Sequence, residues 1–428
     1  MDTVKKVLND NLCISCGICK GVCPIDAIQY ERNNGIYEPL IDESKCINCG
    51  KCYKICPGRG YNYEEHYGEE VIDYYRGKYS ATFNVMSKDL EILAQATSGG
   101  VVTTLVNKLL LDKEYELAFL VDTYDYSEQV KTNAFYAGDQ LKNTQKSRYI
   151  PVSQTSAIEY ILKYKESKVI LVGVSCFVHG VLNVIKENKL NRDNYFIIGL
   201  FCDKNYNYNI YDYFVNQYSN SKKKVKDIFF RSKDSMAMGW PGNMRFVYDD
   251  GSVLDVENKV RIGAKDYFQM EGCMYCIDKT NQLADISVGD NYTGENEDVK
   301  GVSSIIVRSD IGSNAWNKYK SNFDVWSVDA DKLFKSQRIE ERKKNELYRR
   351  IKNSEHYIIP YTMKNDDVSD KAITVEYNKK KKLMRYGATR NWKAIRVTNK
   401  KRTSKLRGKI LYIKYKLYEI KTKLLRNK

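Results

Sequence analysis

Histidine is almost missing from this chain, with three in 428 residues. His66 and His356 lie in polar stretches, and His179, in VSCFVHG, reads as a packing histidine rather than a general base. No hydrolytic constellation is therefore visible. No P-loop occurs, and no G-x-G-x-x-G follows a strand. Long apolar runs are missing too. The longest, Val169 to Val178, is about half of a membrane span, so no transmembrane helix is expected. The opening MDTVKKVLND lacks the apolar core of a secretory signal. The expectation is a cytoplasmic chain whose cysteines are reduced and available for metal.

Acidic residues are nearly absent from one segment alone. Lys and Arg number 70 against 54 Asp and Glu, a net charge of +16. Residues 378–428 hold 20 of those cations and one acid, Glu419, so the rest has 50 cations against 53 acids. The main body is nearly neutral, and nucleic-acid binding by the whole chain is excluded as a default. In the tail, Ile410, Ile413, Leu417, Ile420 and Leu424 recur at helical steps among lysines. That pattern fits a basic amphipathic helix, and peripheral contact with an anionic membrane is one expectation. A solvated or partner-docking helix is the other. The 35 tyrosines read as a compositional habit rather than as chemistry.

What is present is cysteine, twelve in three groups of four. Cys13, Cys16, Cys19 and Cys23 precede Pro24; Cys46, Cys49, Cys52 and Cys56 precede Pro57. Each group reads C-x2-C-x2-C-x3-C-P, the second copy lies 33 residues after the first, and CISCGICKGVCP aligns with CINCGKCYKICP. This is an internal duplication with the spacing of a bacterial two-cluster ferredoxin. Three closely spaced thiolates wrap one cubane, and the fourth, before the proline, reaches the other. One [4Fe–4S] centre is thus assigned Cys13, Cys16, Cys19 and Cys56; the second takes Cys46, Cys49, Cys52 and Cys23. Structural zinc sites use two separated ligand pairs instead.

The third group is Cys176, Cys202, Cys273 and Cys276. VILVGVS before Cys176 and FIIGLF before Cys202 read as short buried strands with a helix between them, a parallel, right-handed βαβ unit. Both cysteines then sit at carboxyl ends of strands, where open α/β sheets bind ligands. With the C-x2-C pair Cys273 and Cys276, four thiolates could meet in one crevice. Buried core cysteines beside a solitary turn, or zinc, are the alternatives on these residues alone.

The organisation follows. Residues 1–60 form the ferredoxin module, and residues 80–325 alternate helix and short strand in an α/β pattern. Asp249-Asp250-Gly251 marks a hairpin between MRFVY and SVLDV. Residues 331–377 are a charged, helix-prone linker, and 378–428 the basic tail. Ahead of the helix VVTTLVNKLLL stands Ala96-Thr97-Ser98-Gly99-Gly100, where a cap and two glycines would let an anion approach free N–H groups. Asp290 ends the strand ADISV, as a turn residue or a cofactor-orienting one.

Four ordered segments, ATSGGVVTTLV, Gln145-Lys146-Ser147-Arg148-Tyr149, GVSCFVHG, and GCMYC with ADISVGD and KGVSSI, resemble the coenzyme F-420 hydrogenase/dehydrogenase beta-subunit family with an N-terminal two-cluster ferredoxin. The resemblance covers roughly residues 1–325. It implies an FAD-binding α/β domain that carries a third [4Fe–4S] cluster and exchanges hydride with F-420. It makes Ser98, Gly99, Gly100, Ser147 and Tyr149 FAD contacts, and Cys176, Cys202, Cys273 and Cys276 the third cluster's ligands. The chain departs from the family in having Gly173-Val174-Ser175-Cys176-Phe177 for G-T-P-C-Q, and Cys202-Asp203-Lys204 for C-H-G. The expected function is an iron–sulfur flavoprotein oxidoreductase. A small hydride carrier or a redox protein would be its partner, and no acid–base residue is needed. A non-enzymatic relay subunit is the second expectation.

Overall fold

Strand-forming runs rich in Val, Ile and Phe alternate with amphipathic helices through most of the chain. In the computed structural model, residues 2–68, 73, 75–122, 128–233, 239–340 and 370–403 are described. Strands β1 (Ile28–Asn33) and β2 (Ile36–Ile41) form a hairpin in the N-terminal module. The others are β3 (Ala81–Ser87), β4 (Leu117–Val121), β5 (Thr132–Phe135), β6 (Val169–Val174), β7 (Tyr195–Leu200), β8 (Val225–Ser232), β9 (Asn243–Tyr248), β10 (Val253–Val256), β11 (Ile286–Asp290), β12 (Ser303–Val307) and β13 (Phe323–Ser327). Eight of these make one mixed sheet in the order β13-β3-β12-β11-β7-β6-β4-β5.

Its centre is parallel. β4 pairs with β6, β6 with β7, and β7 with β11. The expected βαβ unit is present, with the helix Ser175–Glu187 joining β6 to β7. Along these strands the side chains alternate between two buried cores. Val169, Leu171, Tyr195 and Ile197 face the helix Ser175–Glu187, together with Ile18 and Ile55 of the N-terminal module. Ile170, Phe196 and Ile198 face the helix Val101–Leu111 and Trp316. Covered on both faces, the strands are apolar almost throughout. The N-terminal module is thus part of one core layer. Gly180 permits that approach, since a Cβ there would meet Ile18 at 2.4 Å and Pro57 at 3.2 Å.

A smaller antiparallel sheet, β10-β9-β8, lies beside the large one, and its hairpin matches the expected D-D-G turn. The core it shares with the helix Asn209–Tyr218 is built on tyrosine: Tyr206, Tyr208, Tyr211, Tyr213 and Tyr267 are fully buried. Part of the tyrosine excess is therefore packing material.

The boundary expected at residue 378 falls inside a helix, Asp370–Ala388, which is followed by a second, Trp392–Thr403. Both dock on the body. Leu383, Met384 and Ile395 are buried. Asp212 accepts from Arg32 at 3.0 Å and from Arg390 at 2.6 Å, tying the N-terminal hairpin and the C-terminal helices to one carboxylate. The amphipathic pattern from Ile410 to Leu424 lies outside the described residues, as does most of the 331–377 linker. No helix among the described residues is long and apolar enough to cross a membrane.

Candidate redox site

The two halves of the duplicated module fold alike because each loop needs left-handed backbone at matched places. Ser15 and Gly17 have φ of 57° and 81°; Asn48 and Gly50 have 52° and 72°. These turns close the C-x2-C-G-x-C loops tightly enough for three thiols to face one centre. Cys23, Cys46, Cys49 and Cys52 line one pocket. Cys13, Cys16, Cys19 and Cys56 are mutually close, and burial, reinforced by the neighbouring thiols, pushes Cys16, Cys19 and Cys56 up to about 12. Four buried thiols resist ionisation unless a cation compensates, and iron supplies that charge in a cubane. The crossed assignment, with Cys56 in the first set and Cys23 in the second, agrees with this grouping.

Cys176, Cys202, Cys273 and Cys276 line another pocket, with about 550 Å3 of empty space. Two local features bring them together. Cys176 opens the helix that follows β6, and Cys202 leaves the end of β7. The segment 273–285 then lies across those strand ends, where Asn281 donates to the Gly173 carbonyl at 2.9 Å and Cys202 N–H to the Lys279 carbonyl at 2.9 Å. Gly199 makes room for Asn281, whose side chain would lie 2.4 Å from a Cβ there. Burial raises the Cys176 thiol well above its ordinary value, and Cys202, Cys16, Cys273 and Cys276 add to the effect. Cys16 in that set joins this pocket to the first centre, and Leu12, Ile14, Pro57 and Gly58 of the N-terminal module help line it. Among the described residues no three such groups converge on a single-ion geometry. The thiols instead ring a space, which fits a cubane better than zinc. The two departures sit here as well: Asp203 and Lys204 line the pocket, and Phe177 packs on Gly173.

The expected flavin contacts are partly gathered. Ser98 Oγ donates to the Val302 carbonyl at 2.9 Å, and Gly99 N–H to Ser303 Oγ at 3.0 Å. A Cβ on Gly99 would lie 2.4 Å from the Val85 carbonyl, so this glycine serves the close approach of loop to sheet. Its N–H is spent on Ser303 rather than offered to an anion. Gly100 begins the helix Val101–Leu111 with φ of 74° and no acid in the first turn. Tyr149 reaches the same place through Arg231, which donates to Tyr149 Oη at 3.4 Å, the Thr97 carbonyl at 3.3 Å and Asp290 at 2.7 Å. Ser147 is two residues from Tyr149, half-buried. Asp290 is therefore the buried partner of Arg231 rather than a plain turn residue. Burial pushes its carboxyl up, but Arg231 prevails and holds it below the ordinary range.

A set of cations around Tyr149 escapes sequence reading. Arg261 lies over the Tyr149 ring at 5.6 Å, and its Nε is buried without a partner, as is Thr97 Oγ1. Lys233 donates to the carbonyls of Leu93 and Ser98 at 2.7 and 3.0 Å. Burial, with Lys146 and Arg231 nearby, brings Lys233 down to about 8; burial, with Arg261 and Lys204, does the same to Lys265. Such crowding of positive charge, with orphaned donors, fits an anionic group such as a pyrophosphate. His179 is a packing residue as expected: it is buried, stacks on Tyr61 at 4.7 Å, and its Nε2 accepts from Asn62 N–H at 3.2 Å.

Dicluster module and cysteine-bearing α/β domain together define an iron–sulfur protein of oxidoreductase type. Residues 166–332 match the family of the C-terminal region of the coenzyme F420 hydrogenase/dehydrogenase beta subunit, and residues 5–57 match the 4Fe-4S dicluster domain. The chain belongs to that beta-subunit family and carries the dicluster domain ahead of it. It is similar to the beta subunit of the coenzyme F420 hydrogenase of Methanosarcina barkeri, 27% identical over 63% of this chain and 86% of that one. It is also similar to the F-type subunit of the F(420)H(2) dehydrogenase of Methanosarcina mazei, 24% identical over 75% and 86%. The coenzyme F420-dependent sulfite reductase of Methanocaldococcus jannaschii matches 84% of this chain at 24% identity, over 54% of its own length. One polypeptide of the F420-reducing [NiFe] hydrogenase complex from Methanosarcina barkeri shares the fold, with a TM-score of 0.52, 21% identity, and coverage of 68% of this chain and all of that one.

Proposed function

We propose that this protein passes electrons between a hydride carrier of the F-420 kind and an outside redox partner, through FAD and three [4Fe–4S] clusters. The observation that carries the reading is the third cysteine pocket, lined jointly by the α/β domain and by the module holding the first two cysteine sets. The order it supports runs from the crevice around Tyr149, through Cys176, Cys202, Cys273 and Cys276, to the set with Cys16, and outward to the set with Cys49. Bound flavin would supply the exchange of a two-electron hydride for single electrons, and the clusters would carry those electrons.

The chain's own part is position and electrostatics. Arg231 holds Thr97, Tyr149 and Asp290 around one point, while Lys233, Arg261 and Lys265 supply the charge for the pyrophosphate. Ser98, Gly100 and Ser147 shape its rim. Ser175, Asn281 and Lys279 fix the strand ends from which the thiolates project, and Leu12, Pro57 and Gly58 exclude water between adjacent sets. A relay subunit without hydride chemistry is the competing reading, favoured by the non-family residues Phe177, Asp203 and Lys204 beside Cys176 and Cys202.

The test is direct. Anaerobically purified protein should release FAD, not FMN, on denaturation. Its flavin band should bleach on mixing with reduced F-420. Bleaching by NADH or NADPH alone would keep the enzyme and change its substrate. A flavin-free protein reduced only by ferredoxin would leave the relay.

A further inference from the structure

Two tyrosine hydroxyls reach cysteine sulfur, one in each of the two buried cysteine sets. Tyr30 Oη, on β1, lies 3.0 Å from Cys19 Sγ. Tyr61 Oη lies 3.6 Å from Cys276 Sγ, within hydrogen-bond range for sulfur. A thiolate bound to iron has no proton to give, so in each pair the phenol O–H donates. Backbone N–H groups add to them: Ser15 donates to Cys13 at 3.4 Å, and Asn205 to Cys273 at 3.3 Å.

The outer set, Cys23 with Cys46, Cys49 and Cys52, differs. Ala27 N–H donates to Cys23 at 3.3 Å, but no tyrosine hydroxyl is recorded on its sulfurs among the described residues. Its surroundings are also wetter: Ile47, between Cys46 and Cys49, is 62% exposed, whereas Cys19 and Cys56 are buried.

Burial and donation act in opposite directions on a cluster's reduction potential. A reduced cubane is more negative than an oxidised one. A dry site destabilises the reduced form, and a hydrogen bond to its sulfur stabilises that form. Left to burial alone, the two inner clusters would sit below the outer one, and electrons would stall on the outer one when travelling inward. We infer that Tyr30 and Tyr61 are positioning residues that raise the potentials of the two inner clusters through Cys19 and Cys276 and so level the electron path. Tyr61 stands where this matters most. It lies five residues past Cys56 in sequence, is 2% exposed, and touches the third set from within the N-terminal module. Its ring is held by His179, itself clamped by the Asn62 N–H.

The inference rests on the proposed cluster assignments, and the test separates the two. Tyr30→Phe and Tyr61→Phe keep the rings and delete the hydroxyls. Iron content is measured first, then a potentiometric titration of the anaerobic protein is followed by electron paramagnetic resonance. Each variant should retain its iron and lower one couple only, a different one in each case. The expected size is about tenfold in that cluster's reduction equilibrium, which is about 59 mV for one electron. Retained iron with unmoved potentials would overturn the inference. A parent protein with iron for only two clusters would sink the third-cluster assignment instead, leaving Tyr30 and Cys19, within the matched dicluster domain, to decide the question. If Tyr61→Phe loses its cluster, the half-buried Tyr30 decides it in the same way, a lowered couple supporting the inference and an unmoved one refuting it.

Discussion

The pair Arg231–Asp290 offers the sharpest perturbation of the crevice. Arg231 is 6% exposed, and its two contacts with Asp290, at 2.7 and 3.2 Å, form a fork on one carboxylate. Trp240 Nε1 and Tyr292 Oη donate to the same carboxylate at 3.3 Å each. Asp290→Asn preserves shape but leaves the guanidinium buried beside a neutral amide. Breaking one side of a buried pair costs about 3–5 kcal/mol. For an α/β domain of this size that corresponds to a midpoint roughly 10 °C lower in anaerobic thermal unfolding. The double change Arg231→Met with Asp290→Leu removes both charges and should recover most of the loss. The pH dependence has a definite sign. Asp290 is held below its ordinary 3.8, so its stabilisation is complete above that value and is lost as pH falls towards the lower folded value. The Asn variant should lack that acid-side slope. An Asp290→Asn cost under about 1 kcal/mol, the size of a surface pair, would refute the assignment of a buried, structure-bearing ion pair at the mouth of the crevice.

Other outcomes follow from the same geometry. Gly99→Ala would push a methyl to 2.4 Å from the Val85 carbonyl and should destabilise by about 1–3 kcal/mol through overpacking, seen in denaturation of the α/β domain with the dicluster signal unchanged. Lys233 and Lys265, both near 8 when no anion is bound, should make pyrophosphate binding weaken as pH rises through 8, measured by isothermal calorimetry; pH-independent affinity would place the anion elsewhere. Leu383→Ala, at a buried contact of the C-terminal helix, should cost about 2–5 kcal/mol in thermal unfolding, whereas a charge-only tail would be indifferent. Flotation with anionic liposomes should use a 1–403 truncation, because residues up to Thr403 belong to docked helices; equal recovery with the full chain would end the membrane-contact idea.

The cysteine framework was legible because its information is local. Three thiols two residues apart, with glycine and a left-handed neighbour, specify a wrapping loop wherever they stand. The βαβ unit around Cys176 and Cys202 was legible for a similar reason: short apolar strands and one amphipathic helix are contiguous in the chain. The antiparallel half of the sheet was not. β3 is inserted between β12 and β13, over 200 residues away in sequence, and no local pattern records such a partner. The cationic crevice was hidden for a different reason. Arg231, Lys233, Arg261 and Lys265 are four of 70 Lys and Arg, and only burial distinguishes them from the solvated majority. The C-terminal helices were hidden by their sparse apolar face, where Leu383, Met384 and Ile395 carry the docking among many lysines. The Ser98-Gly99-Gly100 motif was read as an anion cradle, and the structure gives Gly99 a packing role instead.

The central claim is that Cys176, Cys202, Cys273 and Cys276 hold a third cluster continuous with the other two. Iron and acid-labile sulfide in anaerobically prepared protein measure it most directly. Twelve cysteines with one iron each give twelve irons and twelve sulfides per chain, and Cys273→Ser should lose about a third of both. Eight irons in the parent, with or without a zinc, and no change in Cys273→Ser would contradict it.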